Sequence, residues 1–393
     1  MVSSFGLIMN YGKELKNLWL LREDVVFLNH GSFGATPISV LKSAQEVQER
    51  MESQPIEFFL DHYFLDLRKS AGRLANFIGA DSDGIGFVDN ATSGVNAVLR
   101  SLSHKMNSNY EILITTQTYP AVKAICYYLR DTFGCTVKEI DLPFPCHDPQ
   151  EIIDIYRNSI SDKTKLVIID HVFYTSGVVA PVKDLIDLIK SKGSLVLVDG
   201  AHAPGMIPLN IESLGADWYT GNCHKWLFAP KGCAFLWTAL EHRAYTKPPV
   251  ISFNLNQGYY KEFDWTGTRN PSPYIALRPA IEFHKSLDSA NLMARNHHLA
   301  VDARRLVAGK LGLELPCSDD MVSTLATLPF TGKYEQAPDS AYKLRKEFYG
   351  KYKIEMPFIE FNSRMWFRFS AQAYNDMSDY EYLANSMKEF IGM

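Results

Sequence analysis

Residues 194–226, SLVLVDGAHAPGMIPLNIESLGADWYTGNCHKW, place an aspartate at the close of an apolar run and a lysine beyond a polar turn. Ser194–Val198 reads as a buried parallel strand, so Asp199 emerges at the carboxyl end, where open α/β sheets bind ligands. A carboxylate there can pair with a pyridinium nitrogen and keep it protonated, which makes the ring an electron sink. Lys225 can condense with an aldehyde on the same ring. Together the two roles point to pyridoxal 5'-phosphate as cofactor. Taken singly, an aspartate after a strand is a common cap or turn and a lysine is usually solvated, so the inference belongs to the whole segment.

VDGAHAPG followed by GADWYTGNCHKWLFAPKGCAFLW resembles class V of the fold-type I pyridoxal phosphate enzymes, and within it the isopenicillin N epimerase-like branch. The resemblance continues, more weakly, from Phe27 to about Tyr374. It implies an α/β fold of the fold-type I PLP-dependent transferase kind, a doubly wound, mostly parallel sheet with a smaller C-terminal α+β lobe. By the same resemblance His224 is a phosphate or cofactor-pocket contact, and His202 neighbours the ring face or the 3-oxygen.

Positioning these groups requires a sheet, and the apolar periodicity supplies one. Gly84–Val88, Glu111–Thr116, Gly134–Ile140, Lys165–Ile169, Ser194–Val198 and Gly232–Trp237 read as strands. Helical stretches at 63–78, 95–102, 121–131, 149–159 and 182–190 separate most of them. Strands alternating with helices at this spacing argue for a doubly wound sheet. Residues 1–30 read as an N-terminal segment that opens with a helix, 31–275 as the large cofactor-binding domain and 276–393 as the small C-terminal domain.

The loops carry the remaining candidates. Asp89–Asn96 delivers a Thr-Ser-Gly turn to a helix start, whose unpaired N–H groups suit a phosphate; Thr92 adds a hydroxyl, Ser93 and Gly94 their amides. In the Phe27–Gly34 loop, which borders the substrate pocket in the family, His30 is either a pocket residue or part of an ordinary turn. Tyr119 is a candidate for stacking on the ring, with Gln117 competing. Asp170–Gly177 resembles the family's DHVTSxTG-like loop but carries Phe173 and Tyr174 where small polar residues are usual, a departure that suits a remodelled substrate wall. The Trp265–Pro271 stretch is similar to the family's GTR loop, which implies that Thr268 reaches a neighbouring subunit's phosphate site and sets Arg269 beside the substrate. Arg368, within FRFSAQAYN, matches the element whose arginine holds the substrate α-carboxylate; a guanidinium can do so bidentately and stays charged.

The composition bounds the partners. A chain of 393 residues with 46% apolar content and a formal charge of −4 is of ordinary globular type, and nothing argues for nucleic acid or an anionic membrane surface. Its six cysteines form no zinc-type spacing, no metal site is expected, and a reduced cytoplasm fits best. No run approaches transmembrane length. The expected partners are a small-molecule substrate, an amino acid or a small peptide-like amino acid, and a second copy of the chain, in a homodimer with shared active sites. The expected chemistry starts with loss of the Cα proton to Lys225. Reprotonation on the opposite face gives an isopenicillin N epimerase-like activity; loss of sulfur gives a C–S lyase of the cysteine desulfhydrase type; reprotonation at the cofactor gives an aminotransferase. A cysteine desulfurase fits less well, since Cys317 lies outside any matching motif, and a non-catalytic binding protein is disfavoured by the intact Asp199, Lys225 and Arg368 set.

Overall fold

The computed structural model describes residues 11–392. The N-terminal helix expected from the sequence falls largely on residues 1–10, outside the described residues; within them, Lys13–Leu18 forms one short 3-10 helix.

Seven strands build the central sheet, in the spatial order Ile85–Val88, Ala234–Thr238, Trp218–Asn222, Leu195–Asp199, Thr164–Asp170, Glu111–Thr115, Thr136–Ile140. All pairs from Trp218–Asn222 onward are parallel, while Ala234–Thr238 runs antiparallel to both its neighbours. The apolar runs are continuous because both faces are covered. Successive side chains point to opposite faces, so Val167, Ile169, Val196 and Val198 join one core while Leu166, Ile168 and Leu197 join another. Helix Tyr63–Ile78 packs into the first core and Ala91–Leu102 into the second. Each buried Leu, Ile or Val stabilises the fold by roughly 1.5–3 kcal/mol, so the sheet is a stiff platform whose carboxyl ends can be held in place.

Beyond it, Phe358–Phe361, Arg364–Ser370 and Leu325–Pro329 form an antiparallel sheet. The chain changes packing partners near Asp288, which takes a left-handed conformation at φ 53°. Helix Leu277–Ser286 lies on Ile38–Ser53 and Tyr63–Ile78, whereas Ser289–Leu311 lies on Met377–Phe390 and Leu325–Pro329. Val26–Phe27 pairs with Ile354–Glu355, so the chain entering the cofactor-side lobe is already tied to the C-terminal one.

Several elements differ from the sequence reading: the helix expected at 95–102 starts already at Ala91, and the strand expected from Gly232 starts at Ala234. Trp218–Asn222 is a strand that the pattern does not announce, because Thr220, Gly221 and Asn222 interrupt the apolar run. The strand expected from Gly134 begins at Thr136, since Gly134, at φ 73°, caps the preceding helix Pro120–Phe133.

Candidate active site

Adjacent strand ends bring the carboxylates together. Asp170 and Asp199 are direct partners in register, and Asp199 in turn pairs with Thr220. Both are buried beside a cavity of about 250 Å³, lined also by Ser32, Phe33, Asn90, Ala91, Thr92, Tyr119, Val172, Tyr174, Ala201, His202, Asn222, His224 and Lys225. Burial pushes both carboxyls above the usual carboxylate range, and the charge of Asp199 pushes Asp170 further. Asp170 is therefore the member that keeps its proton. Its Oδ2 has no hydrogen-bond partner, whereas Asp199 accepts the Ala201 N–H at 3.0 Å.

Lys225 follows the end of the Trp218–Asn222 strand, and burial lowers its ammonium to about 8, with Asp199 opposing and Arg368 reinforcing the shift. Its Nζ lies 3.2 Å from His202 Nε2. The Trp226 indole N–H donates to His202 Nδ1 at 3.3 Å, which leaves the histidine's proton on Nε2, the atom facing the lysine. His30 sits behind this group rather than in the cavity: Nε2 meets the Lys225 carbonyl at 3.0 Å and Nδ1 the Tyr374 hydroxyl at 2.8 Å. The expectation of a substrate contact at His30 is thus corrected to a brace on the lysine backbone. Gly34 belongs to the same brace, at φ 69°, where a Cβ would stand 2.3 Å from the His224 carbonyl oxygen and 2.9 Å from Lys225 Cα.

The turn opening the Ala91–Leu102 helix faces the cavity, but its amides divide differently from expectation. The Ser93 N–H is taken by the Asn90 side chain at 2.9 Å and the Gly94 N–H by the Asn90 carbonyl at 3.2 Å. The Ala91 N–H donates to Asn222 Oδ1 at 2.8 Å. Thr92 remains, with an unspent amide and a hydroxyl, on the cavity wall. Gly94 is instead required for packing, since a Cβ there would lie 2.2 Å from Thr220 Oγ1. His224 also lines the cavity, with Nδ1 spent on the Cys233 carbonyl at 3.0 Å and burial lowering its ring to about 4.

On the opposite wall, Tyr119 and Tyr174 meet edge to face with ring centroids 5.3 Å apart. Gln117 is buried away from the cavity, accepting from Thr175 Oγ1 at 2.7 Å. Arg368 stands directly behind this wall, donating to the Tyr174 carbonyl and reaching Ser32 Oγ at 3.4 Å. No carboxylate among the described residues pairs with it, and burial lowers its guanidinium to about 10. Thr268 is exposed and does not line the cavity of its own chain. Arg269 is turned away: it bonds the Phe263 carbonyl at 3.1 Å and lies 4.8 Å over the Tyr274 ring. Its expected substrate contact is corrected to a packing role within the chain.

The residues fit pyridoxal phosphate. A buried cation without an anion and a buried anion whose only hydrogen bond is one amide are costly unless a ligand compensates both, and the cofactor with an amino acid brings a pyridinium and a carboxylate. Lys225 supplies an amine near neutrality, and Thr92 an unspent N–H at a helix start. Ser32, Phe33, Asn90 and Asp170 lie in loops that the sequence singles out, but not as individual contacts, and Asn222 is not signalled at all. Asn222 ends the unannounced strand, and the others are single polar or aromatic residues in loops whose direction only the fold sets.

Comparisons with known proteins point to the same cofactor. Residues 28–347 match the family model described as aminotransferase class V. A putative L-cysteine desulfhydrase 1 of Oryza sativa subsp. japonica is 28% identical, covering 93% of this chain and 83% of its own length. An isopenicillin N epimerase of Amycolatopsis lactamdurans is also 28% identical, covering 93% and 95%. Among solved structures, a mutant of C-DES with glycine covalently linked to its PLP cofactor superposes with a TM-score of 0.83 at 18% identity, over 95% of this chain and 98% of that one.

Proposed function

The chain belongs to the aminotransferase class V family and is a pyridoxal phosphate enzyme of fold type I, and from that premise we propose that it is a C–S lyase, eliminating sulfur from the β-carbon of an L-cysteine derivative. When bound, the cofactor supplies an aldehyde that holds the substrate amine and a ring that takes up the electrons released at Cα. The chain's residues do the rest. Asp199 would keep the ring nitrogen protonated, His202 would offer its Nε2 proton to the cofactor's 3-oxygen, and Tyr119 would cover the ring. Thr92 receives the phosphate through its amide and hydroxyl. His224, whose Nδ1 is engaged by the Cys233 carbonyl, would present Nε2 to that contact. Arg368 binds the α-carboxylate and so turns the Cα–H bond toward Lys225. Lys225 removes the Cα proton and delivers it to the departing sulfur.

One observation carries elimination over epimerisation: among the described residues lining the cavity Lys225 is the one amine, and the two histidines beside it are already engaged, His202 by the Trp226 indole and the lysine, His224 by the Cys233 carbonyl. Burial brings the Lys225 ammonium down to about 8, and it holds His202 far below its ordinary value and His224 at about 4, so neither ring favours taking up a proton. Inverting Cα is served best by a second working group on the other face; elimination needs only one. Incubating the holoenzyme with L-cysteine tests this. Pyruvate, ammonia and sulfide in equal amounts are expected; recovery of D-cysteine without pyruvate contradicts the proposal.

The reading extends to assembly. A homodimer in which the Gly267–Thr268 turn completes the partner's phosphate site is supported by the exposure of Thr268 outside its own cavity. A cytoplasmic setting is supported by six buried cysteines, all unpaired. No helix among the described residues is long and apolar enough to cross a membrane.

A further inference from the structure

The carboxylate clamp lies between two aromatic residues. Arg368 donates to the Tyr174 carbonyl and reaches Ser32 Oγ, and the next residue after Ser32 is Phe33. Phe33 and Tyr174 thus stand on the two segments that Arg368 bonds. Both line the cavity. Tyr174 is braced edge-on by Tyr119, while Phe33 is 76% exposed and stacks on no other ring among the described residues. A phenylalanine left in water at a cavity rim is apolar area that a ligand can cover, and burying it supplies binding away from the reacting bond. Among the described residues, Lys225 is the one lysine that lines the cavity and no arginine lines it; Arg368 stands behind the wall. An anionic group on the far end of the substrate would therefore find no lysine or arginine of this chain's lining beyond Lys225 to meet it.

We propose that the substrate is a cysteine thioether whose sulfur carries an uncharged apolar group, aromatic by preference, rather than free cysteine. This rests on the elimination reading above. In the net reaction the Cβ–S bond breaks with its electron pair on sulfur, the Cα proton ends on that sulfur to give the thiol, and water hydrolyses the released enamine to pyruvate and ammonia. No oxidant or reductant is consumed. A thiol hydrogen leaves Phe33 uncovered; a benzyl group lies against it, and sulfur itself contacts aromatic edges favourably.

The test compares S-benzyl-L-cysteine, S-carboxymethyl-L-cysteine and L-cysteine on the holoenzyme, following pyruvate. A benzyl thiolate is no better a leaving group than hydrosulfide, so a preference for it reports binding rather than leaving-group chemistry. We expect kcat/KM for the benzyl compound to exceed that for each of the others about tenfold or more, and Phe33→Ala and Tyr174→Ser each to reduce that ratio about tenfold. Equal or greater activity on L-cysteine, with ratios unmoved in both variants, overturns the inference and leaves the elimination reading intact. A changed native mass of Phe33→Ala with an unmoved ratio assigns Phe33 to subunit contact and also overturns it. If none of the three compounds yields pyruvate while each exchanges its Cα proton, the elimination reading itself fails.

Discussion

At the scale of single residues, the site is a set of charges that the protein leaves uncompensated. Asp199 is raised by burial and Arg368 lowered by burial, and each is relieved by one end of the bound cofactor and substrate. Asp199→Ala should retain the fold yet lose turnover by about a hundredfold or more, because the ring nitrogen loses the anion that holds its proton; an activity within tenfold of wild type contradicts the assignment. Arg368→Lys keeps a charge but loses the planar fork, so KM should rise and kcat should fall as the Cα–H bond loses its orientation. Steady-state kinetics on one thioether measures both. Burial disfavours the charged form of Lys225, so its free amine appears as pH rises through about 8 rather than above 10. In cofactor-stripped protein, acetylation mapped by peptide mass should be half-maximal at Lys225 near pH 8. A midpoint above 10 contradicts the shift.

At the scale of elements, the lysine is held from behind by the loop that enters from the N-terminal side. His30 caps the Lys225 carbonyl, and Gly34 passes so close that no side chain fits. Gly34→Ala should destabilise the protein by about 1–3 kcal/mol through overpacking and a disfavoured positive φ, and should slow formation of the lysine–cofactor adduct; a variant with unchanged thermal midpoint and adduct rate contradicts the brace. The same elements explain what a reader of the sequence can and cannot find. Asp199 and Lys225 are legible because an apolar run ends on a carboxylate and a polar turn precedes the lysine, and both signals are local. The alternation of strands and helices likewise reveals the parallel sheet. His30 and Arg269 lie in motifs that mark a loop, but a motif does not state where a side chain points; one turns under the lysine and the other onto Tyr274. Ser93 and Gly94 read as phosphate ligands because a helix start has free amides, yet Asn90 takes both. Trp218–Asn222 is hidden because burial by neighbouring strands, rather than its own alternation, makes it a strand.

At the scale of the whole molecule, the cavity lies where the sheet's carboxyl ends meet the loop that carries Ser32 and Phe33, and Arg368 of the C-terminal sheet bonds Ser32 and Tyr174 behind its wall. The proposed dimer adds a third contribution. Mixing inactive Lys225→Ala chains with inactive Thr268→Ala chains should restore activity, since a hybrid dimer contains one site with both residues intact; hybrid dimers without activity contradict the shared site. The central claim is that one lysine works on Cα from one face of an amino acid clamped by Arg368, and L-alanine in deuterium oxide tests it most directly, because alanine has no β leaving group to lose. The holoenzyme should place deuterium at Cα of the recovered alanine with its L configuration retained, and Lys225→Ala should place none. Alanine recovered without deuterium, or recovered as a mixture of both stereoisomers as fast as it exchanges, would contradict the account.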